Sequence, residues 1–144
     1  MKLLLGLVVL FSCSEFMAHG SLWEFQKMIK QVTGKSALPS YAFYGCHCGV
    51  GGRGMPKDAT DWCCLHHDCC YSRLMASKCR VITNKYYYTY RRGVVTCGPG
   101  HSCQRSICEC DKAAVLCMKQ NLRSYNEKYR FYPNIKCRGR KPSC

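Results

Sequence analysis

Cys63-Cys64-Leu65-His66-His67-Asp68-Cys69-Cys70-Tyr71 sets four cysteines around two histidines and a carboxylate. On a helix, His67 lies four residues after Cys63, three before Cys70 and four before Tyr71, so the four share one face. Cys63 and Cys70 are seven apart, two helical turns, and so are Cys110 and Cys117. The matching interval permits two antiparallel helices bolted by Cys63–Cys117 and Cys70–Cys110, with the bolts about 10 Å apart on each helix. Spacing permits this pairing without proving it, because so many cysteines can pair in many ways. With the bolts closed, His67 points at the facing helix, where Asp111 lies one residue from Cys110. A buried His–Asp pair fixes the imidazole tautomer and stabilises the imidazolium, as a general base requires. The same pair also serves elsewhere as a plain core hydrogen bond.

Outward from this stretch, Pro56 and Asp58 read as a helix start, with the helix running to about Arg73. The second long helix is predicted over roughly Gln104 to Leu122. Upstream, Leu22, Phe25, Met28, Ile29 and Val32 recur at helical spacing, so residues 21–32 read as an amphipathic helix ended at Gly34. Residues 44–54, YGCHCGVGGRG, are too glycine-rich for a helix and read as a loop. Lys85–Tyr90 and Val94–Cys97 are β-prone runs around Arg91-Arg92-Gly93, a predicted hairpin. The tail from Tyr129 to Cys144 reads as irregular, basic and cysteine-tethered. The fold class expected is therefore mainly α and disulfide-rich, with one small β-hairpin.

The 144 residues suit one domain, and 15 cysteines mark a disulfide scaffold. Lys2, the apolar run Leu3–Phe11 and Ala18-His19-Gly20 read as a secretory leader over residues 1–20, with a single domain over 21–144. The apolar run is shorter than the roughly 20 residues a transmembrane helix needs, and no transmembrane segment is expected. Removing Cys13 with the leader leaves fourteen cysteines, an even number, which suits an oxidised, extracellular protein with seven bridges. The net charge of +14 points to a polyanionic partner.

Asp68 adjoins His67 but projects about 100° away on the helix. One carboxylate does not hold Ca²⁺, which takes 6–8 oxygens. Gly49, Gly51 and Gly52 let the neighbouring backbone curl so that carbonyl oxygens converge, although the same glycines also suit a flexible turn. Zinc is the competing metal, disfavoured because a secreted chain holds its cysteines as disulfides. No G-x-S-x-G nucleophile motif occurs, which leaves an activated water as the nucleophile.

Tyr44-Gly-Cys-His-Cys-Gly-Val-Gly-Gly52, the Cys63–Cys70 stretch and Cys108-Glu-Cys-Asp-Lys112 together resemble a secreted, low-molecular-weight, calcium-dependent phospholipase A2. The likeness covers essentially all of residues 21–144, and the tail ending at Cys144 resembles group II, with the charge of its basic IIA and IID members. The resemblance implies His67 as catalytic base, oriented by Asp111, with Tyr71 and Tyr86 hydrogen-bonded to Asp111. It implies Ca²⁺ held by the carbonyls of His47, Gly49 and Gly51 and by the Asp68 carboxylate, and an oxyanion contact from the Gly49 N–H. It implies the bridges Cys46–Cys137, Cys48–Cys64, Cys63–Cys117, Cys69–Cys144, Cys70–Cys110, Cys79–Cys103 and Cys97–Cys108. The reaction implied is hydrolysis of the sn-2 ester of a glycerophospholipid.

The helical stripe of Leu22, Phe25 and Ile29 resembles the wall of the family's lipid channel, and the same stripe also suits core packing. Trp23 sits off the stripe near Lys27 and Lys30, as an aromatic does at a lipid interface or incidentally on a surface. The charge favours an anionic phospholipid surface, and the run Lys136, Arg138, Arg140, Lys141 suits heparan-type polysaccharides. Nucleic acid is not an expected partner. The alternative from another class is a secreted basic protein that binds polyanions or a receptor with little catalysis.

Overall fold

The computed structural model describes residues 21–144, and the leader assigned to residues 1–20 lies outside them. Helix α1, Ser21–Thr33, buries Met28, Ile29 and Val32 and places Glu24 in its first turn, where a carboxylate faces the positive end of the helix. It stops one residue later than predicted. Gly34 then takes φ +79° and donates its N–H to the Lys30 carbonyl. A one-turn helix α2, Ala37–Ser40, follows; it is too short to leave a periodic signal.

Helix α3, Ala59–Ala76, carries the site. The Asp58 side chain accepts from the Asp61 N–H at 2.9 Å, the N-cap that Pro56 and Asp58 predict. The helix runs three residues past Arg73. Lys78 terminates it with φ 63°, while the Lys78 N–H donates to Met75 and the Cys79 N–H to Leu74. This is a Schellman stop built on a lysine where glycine is the usual residue, so composition does not mark it.

Strands β1, Tyr88–Arg91, and β2, Val94–Cys97, pair antiparallel with Arg91 opposite Val94. The loop is only Arg92-Gly93, both at positive φ, which is the turn a two-residue hairpin requires. Arg91 therefore belongs to the strand, and the strand begins at Tyr88 rather than Lys85. Tyr86 instead turns into the core, where it is 1% exposed. Helix α4, Ser102–Gln120, starts two residues before the predicted Gln104. His101 caps it: its ring accepts from the Gln104 N–H, and the Gln104 side chain accepts from the His101 N–H. The expected end at Leu122 is also corrected. Asn121 leaves helical geometry and its side chain bonds the Cys117 carbonyl, so Leu122–Ser124 forms a separate 3₁₀ turn.

Helices α3 and α4 pack against each other, and α1 lies across α4. Their shared core includes Met28, Ile29, Ile107, Val115 and Met118. Disulfides Cys63–Cys117 and Cys70–Cys110 bolt α3 to α4 with Cα–Cα distances of 5.7 and 5.8 Å. Helix α3 has no continuous apolar stripe, so these bonds do much of the work that packing does elsewhere. The tail after α4 contains only 3₁₀ turns, tied down by Cys46–Cys137 and Cys69–Cys144. Cys48–Cys64, Cys79–Cys103 and Cys97–Cys108 complete seven bridges. No described helix is long and apolar enough to cross a membrane.

Candidate active site

Asp111 on α4 is fully buried and accepts three hydrogen bonds. His67 Nε2 lies 2.7 Å from Oδ1, the Tyr71 hydroxyl donates to Oδ1 at 2.5 Å, and the Tyr86 hydroxyl donates to Oδ2 at 2.7 Å. With the carboxylate as acceptor, the imidazole proton resides on Nε2 and the lone pair on Nδ1. Both tyrosines are pushed far above the ordinary phenol range, first by burial and then by the Asp111 charge. They are therefore fixed donors that lock the carboxylate in place. His66, the neighbouring histidine, is exposed and lies beside Trp62 with ring centroids 5.6 Å apart.

Phe25 of α1 stacks on the His67 ring, with centroids 4.5 Å apart and planes at 18°. Leu22 is half-buried and Ile29 is 3% exposed, so this stripe runs from the surface to the imidazole. Trp23 projects outward, 50% exposed. Sequence spacing places Phe25 on the stripe but gives no sign that it meets His67, because the contact joins elements far apart in the chain.

Asp68 is half-buried beside His67, and its Oδ2 is enclosed without a hydrogen-bond partner. Burial raises its carboxyl to about 6, the charge of Asp61 adds to the rise, and His67 and Lys141 oppose it. The glycine loop faces this atom: a Cβ on Gly52 would sit 3.6 Å from Asp68 Oδ2 and 2.9 Å from His47 Nδ1. Gly49 has φ +86°, and a Cβ there would collide with the Ala42 carbonyl, so this position needs glycine for both angle and space. Gly51 follows at φ +93°. The His47 ring is buried and bonds the Gly54 carbonyl through Nε2 at 2.8 Å.

An enclosed, unpartnered carboxylate oxygen facing an oxygen-bearing backbone loop fits a hard cation such as Ca²⁺. All fourteen described cysteines are in disulfides, so none offers a thiolate to zinc. The tail residues Arg138, Arg140 and Lys141 are exposed, and the Lys141 charge is felt at Asp68.

The raised Asp68 carboxyl sets a pH dependence. A carboxyl whose pKa rises on folding, here from 3.8 to about 6, favours the fold when protonated. That contribution is full below 3.8 and is lost as pH rises through about 6. Without calcium, wild type should therefore lose more thermal stability between pH 5 and pH 7 than Asp68→Asn. Parallel melting curves in chelator check this, and equal losses in both proteins would contradict it.

Two bolted antiparallel helices, a His–Asp pair between them and a glycine loop alongside define a disulfide-bridged, mainly helical scaffold built around a histidine. Comparison with known proteins gives the family. The Phospholipase A2 family profile matches residues 22–130. The chain is 53% identical to "Phospholipase A2, membrane associated" of Cavia porcellus, over the full length of both. It is 52% identical to "Phospholipase A2 group V" of Homo sapiens, over 95% of this chain and 99% of that one. It is 49% identical to "Group IID secretory phospholipase A2" of Mus musculus, over 88% of each. The chain belongs to the phospholipase A2 family and is a phospholipid-hydrolysing enzyme.

Proposed function

We propose that this chain is a secreted, single-domain, calcium-dependent enzyme that cleaves the sn-2 ester of glycerophospholipids at membrane surfaces. It releases a fatty acid and a lysophospholipid. The observation that carries the reading is the His67–Asp111 contact of 2.7 Å, which engages Nε2 and leaves the Nδ1 lone pair to take a proton. His67 Nδ1 takes a proton from a water, and that water attacks the ester carbonyl. Asp111 holds the ring and stabilises the imidazolium; Tyr71 and Tyr86 hold Asp111. The returning proton passes from His67 to the leaving alkoxide. The Gly49 N–H donates to the developing oxyanion.

Asp68 and the carbonyls of His47, Gly49 and Gly51 would hold Ca²⁺, which supplies Lewis-acid polarisation of the carbonyl and charge for the substrate phosphate. Leu22, Phe25 and Ile29 line the acyl path. Phe25 excludes bulk water from one face of the base. Activity measured across calcium concentrations and in excess chelator tests the reading. A protein that binds polyanions equally well in chelator but never hydrolyses lipid would be the basic binding protein instead.

The exposed Arg138, Arg140 and Lys141, the half-exposed Trp23 and the net charge support docking on anionic lipid and on heparan-type polysaccharide. Vesicle binding should be strong for anionic lipid and fall steeply with salt, since exposed charges act over a screening length of about 8 Å at physiological ionic strength. Reversing Arg138, Arg140 and Lys141 should weaken heparin binding more than hydrolysis of a soluble ester. Trp23→Ala should instead lower binding to zwitterionic vesicles. Co-sedimentation over a salt series measures both, and salt-independent anionic binding would refute the charge mechanism.

A further inference from the structure

Asp61 is a charged side chain that the reaction does not use, and it is fully buried. Among the described residues it has no cationic partner within ion-pair distance. Its carboxylate is instead held by backbone N–H groups. Oδ2 accepts from the Cys46 N–H and the Lys57 N–H, and Oδ1 accepts from the His47 N–H, each at 2.8 Å. Those amides stand at the two ends of the glycine loop. One carboxylate therefore closes the loop into a ring at its base. Gly45 completes the fit, because a Cβ there would collide with the Asp61 carboxylate.

Asp61 and Asp68 are seven residues apart on α3, so they share one face about 10 Å apart. Asp61 grips the loop, while Asp68 faces the loop's glycines. Residue His47 is common to both: its N–H is held by Asp61, and its carbonyl, in the next peptide group, is in the proposed ligand set. The ring of His47 adds a second brace to Gly54. The Asp61 charge also reaches Asp68.

We propose that Asp61 is the positioning residue of the cation site, presetting the glycine loop through the Cys46, His47 and Lys57 amides so that its carbonyls meet the ion with little reorganisation. The inference rests on the calcium reading above. Charge-assisted bonds to N–H groups are roughly twice as strong as neutral ones, so the ionised carboxylate suits this clamp better than an amide. In Asp61→Asn one oxygen becomes an NH₂ group facing an N–H donor, so at least one clamp bond is lost.

The test is calcium titration by calorimetry, paired with turnover at each calcium concentration. Asp61→Asn should bind calcium at least about tenfold more weakly, a change of 1.4 kcal/mol. Its turnover should recover toward the wild-type value once calcium saturates, and Asp61→Glu should regain part of the affinity. A lower melting temperature with unchanged calcium affinity would make Asp61 merely structural and overturn the proposal. Amide exchange on wild type covers the case in which the variant does not fold. Without calcium, the Cys46, His47 and Lys57 amides should already be protected, while Gly49–Gly52 gain protection only on adding calcium. Free exchange at the three clamped amides would also overturn it. If wild type binds no calcium in the titration, the calcium reading itself fails.

Discussion

His67→Gln should lower phospholipid hydrolysis by at least about 10²-fold, and by as much as 10⁴-fold, the usual worth of a positioned general base. The glutamine amide can still donate to Asp111, so the buried carboxylate keeps a partner and α3 and α4 stay docked. What disappears is the lone pair on Nδ1, the atom left free by the 2.7 Å contact between Nε2 and Asp111. Calcium binding and the circular dichroism spectrum should therefore match wild type. His66→Gln is the control: His66 is exposed and faces Trp62, so its loss should change turnover little. A His67→Gln protein within tenfold of wild type would remove His67 from the role of base.

Asp68→Lys should abolish turnover, and excess chelator should do the same to wild type. The ammonium group would reach the space where Asp68 Oδ2 now lies enclosed and unpartnered, adding a positive charge where a cation must sit. The fold should persist, because seven bridges restrict the unfolded chain, each by about 2–4 kcal/mol. Melting curves should thus show a folded protein without a calcium-dependent shift. Full hydrolysis in excess chelator would rule out the calcium mechanism.

Much of this architecture is legible in the chain because cysteine spacing and capping act locally. Asp58 marks the start of α3, and the seven-residue intervals of Cys63–Cys70 and Cys110–Cys117 align two helices before any contact is known. The exceptions are places where tertiary structure overrides a residue's usual role. Lys78 ends α3 in a conformation that favours glycine, because the chain must turn back toward Cys79 and its bridge to Cys103. His101 caps α4 with a ring nitrogen, although histidine is not among the preferred caps. Of the three consecutive tyrosines, only Tyr86 reaches Asp111: it lies two residues before β1 and points inward in phase with the strand, while Tyr87 points outward and the Tyr88 hydroxyl donates to Gln31. Asp61 reads locally as an acidic first-turn residue suited to the helix dipole. Its hold on the loop shows only in three dimensions, although its seven-residue interval to Asp68 is a retrievable signal.

Phe25 stacked on His67 gives the enzyme a built-in spectroscopic probe. Nuclei above the face of an aromatic ring are shielded by its circulating electrons, so the carbon-bound protons of the His67 ring should resonate upfield of those of a free histidine. The displacement depends steeply on ring separation. It therefore reports, without an added label, any change in the seating of α1 when lipid arrives, and Phe25→Leu supplies the reference spectrum in which only the Tyr71 ring, 4.1 Å from His67, still contributes.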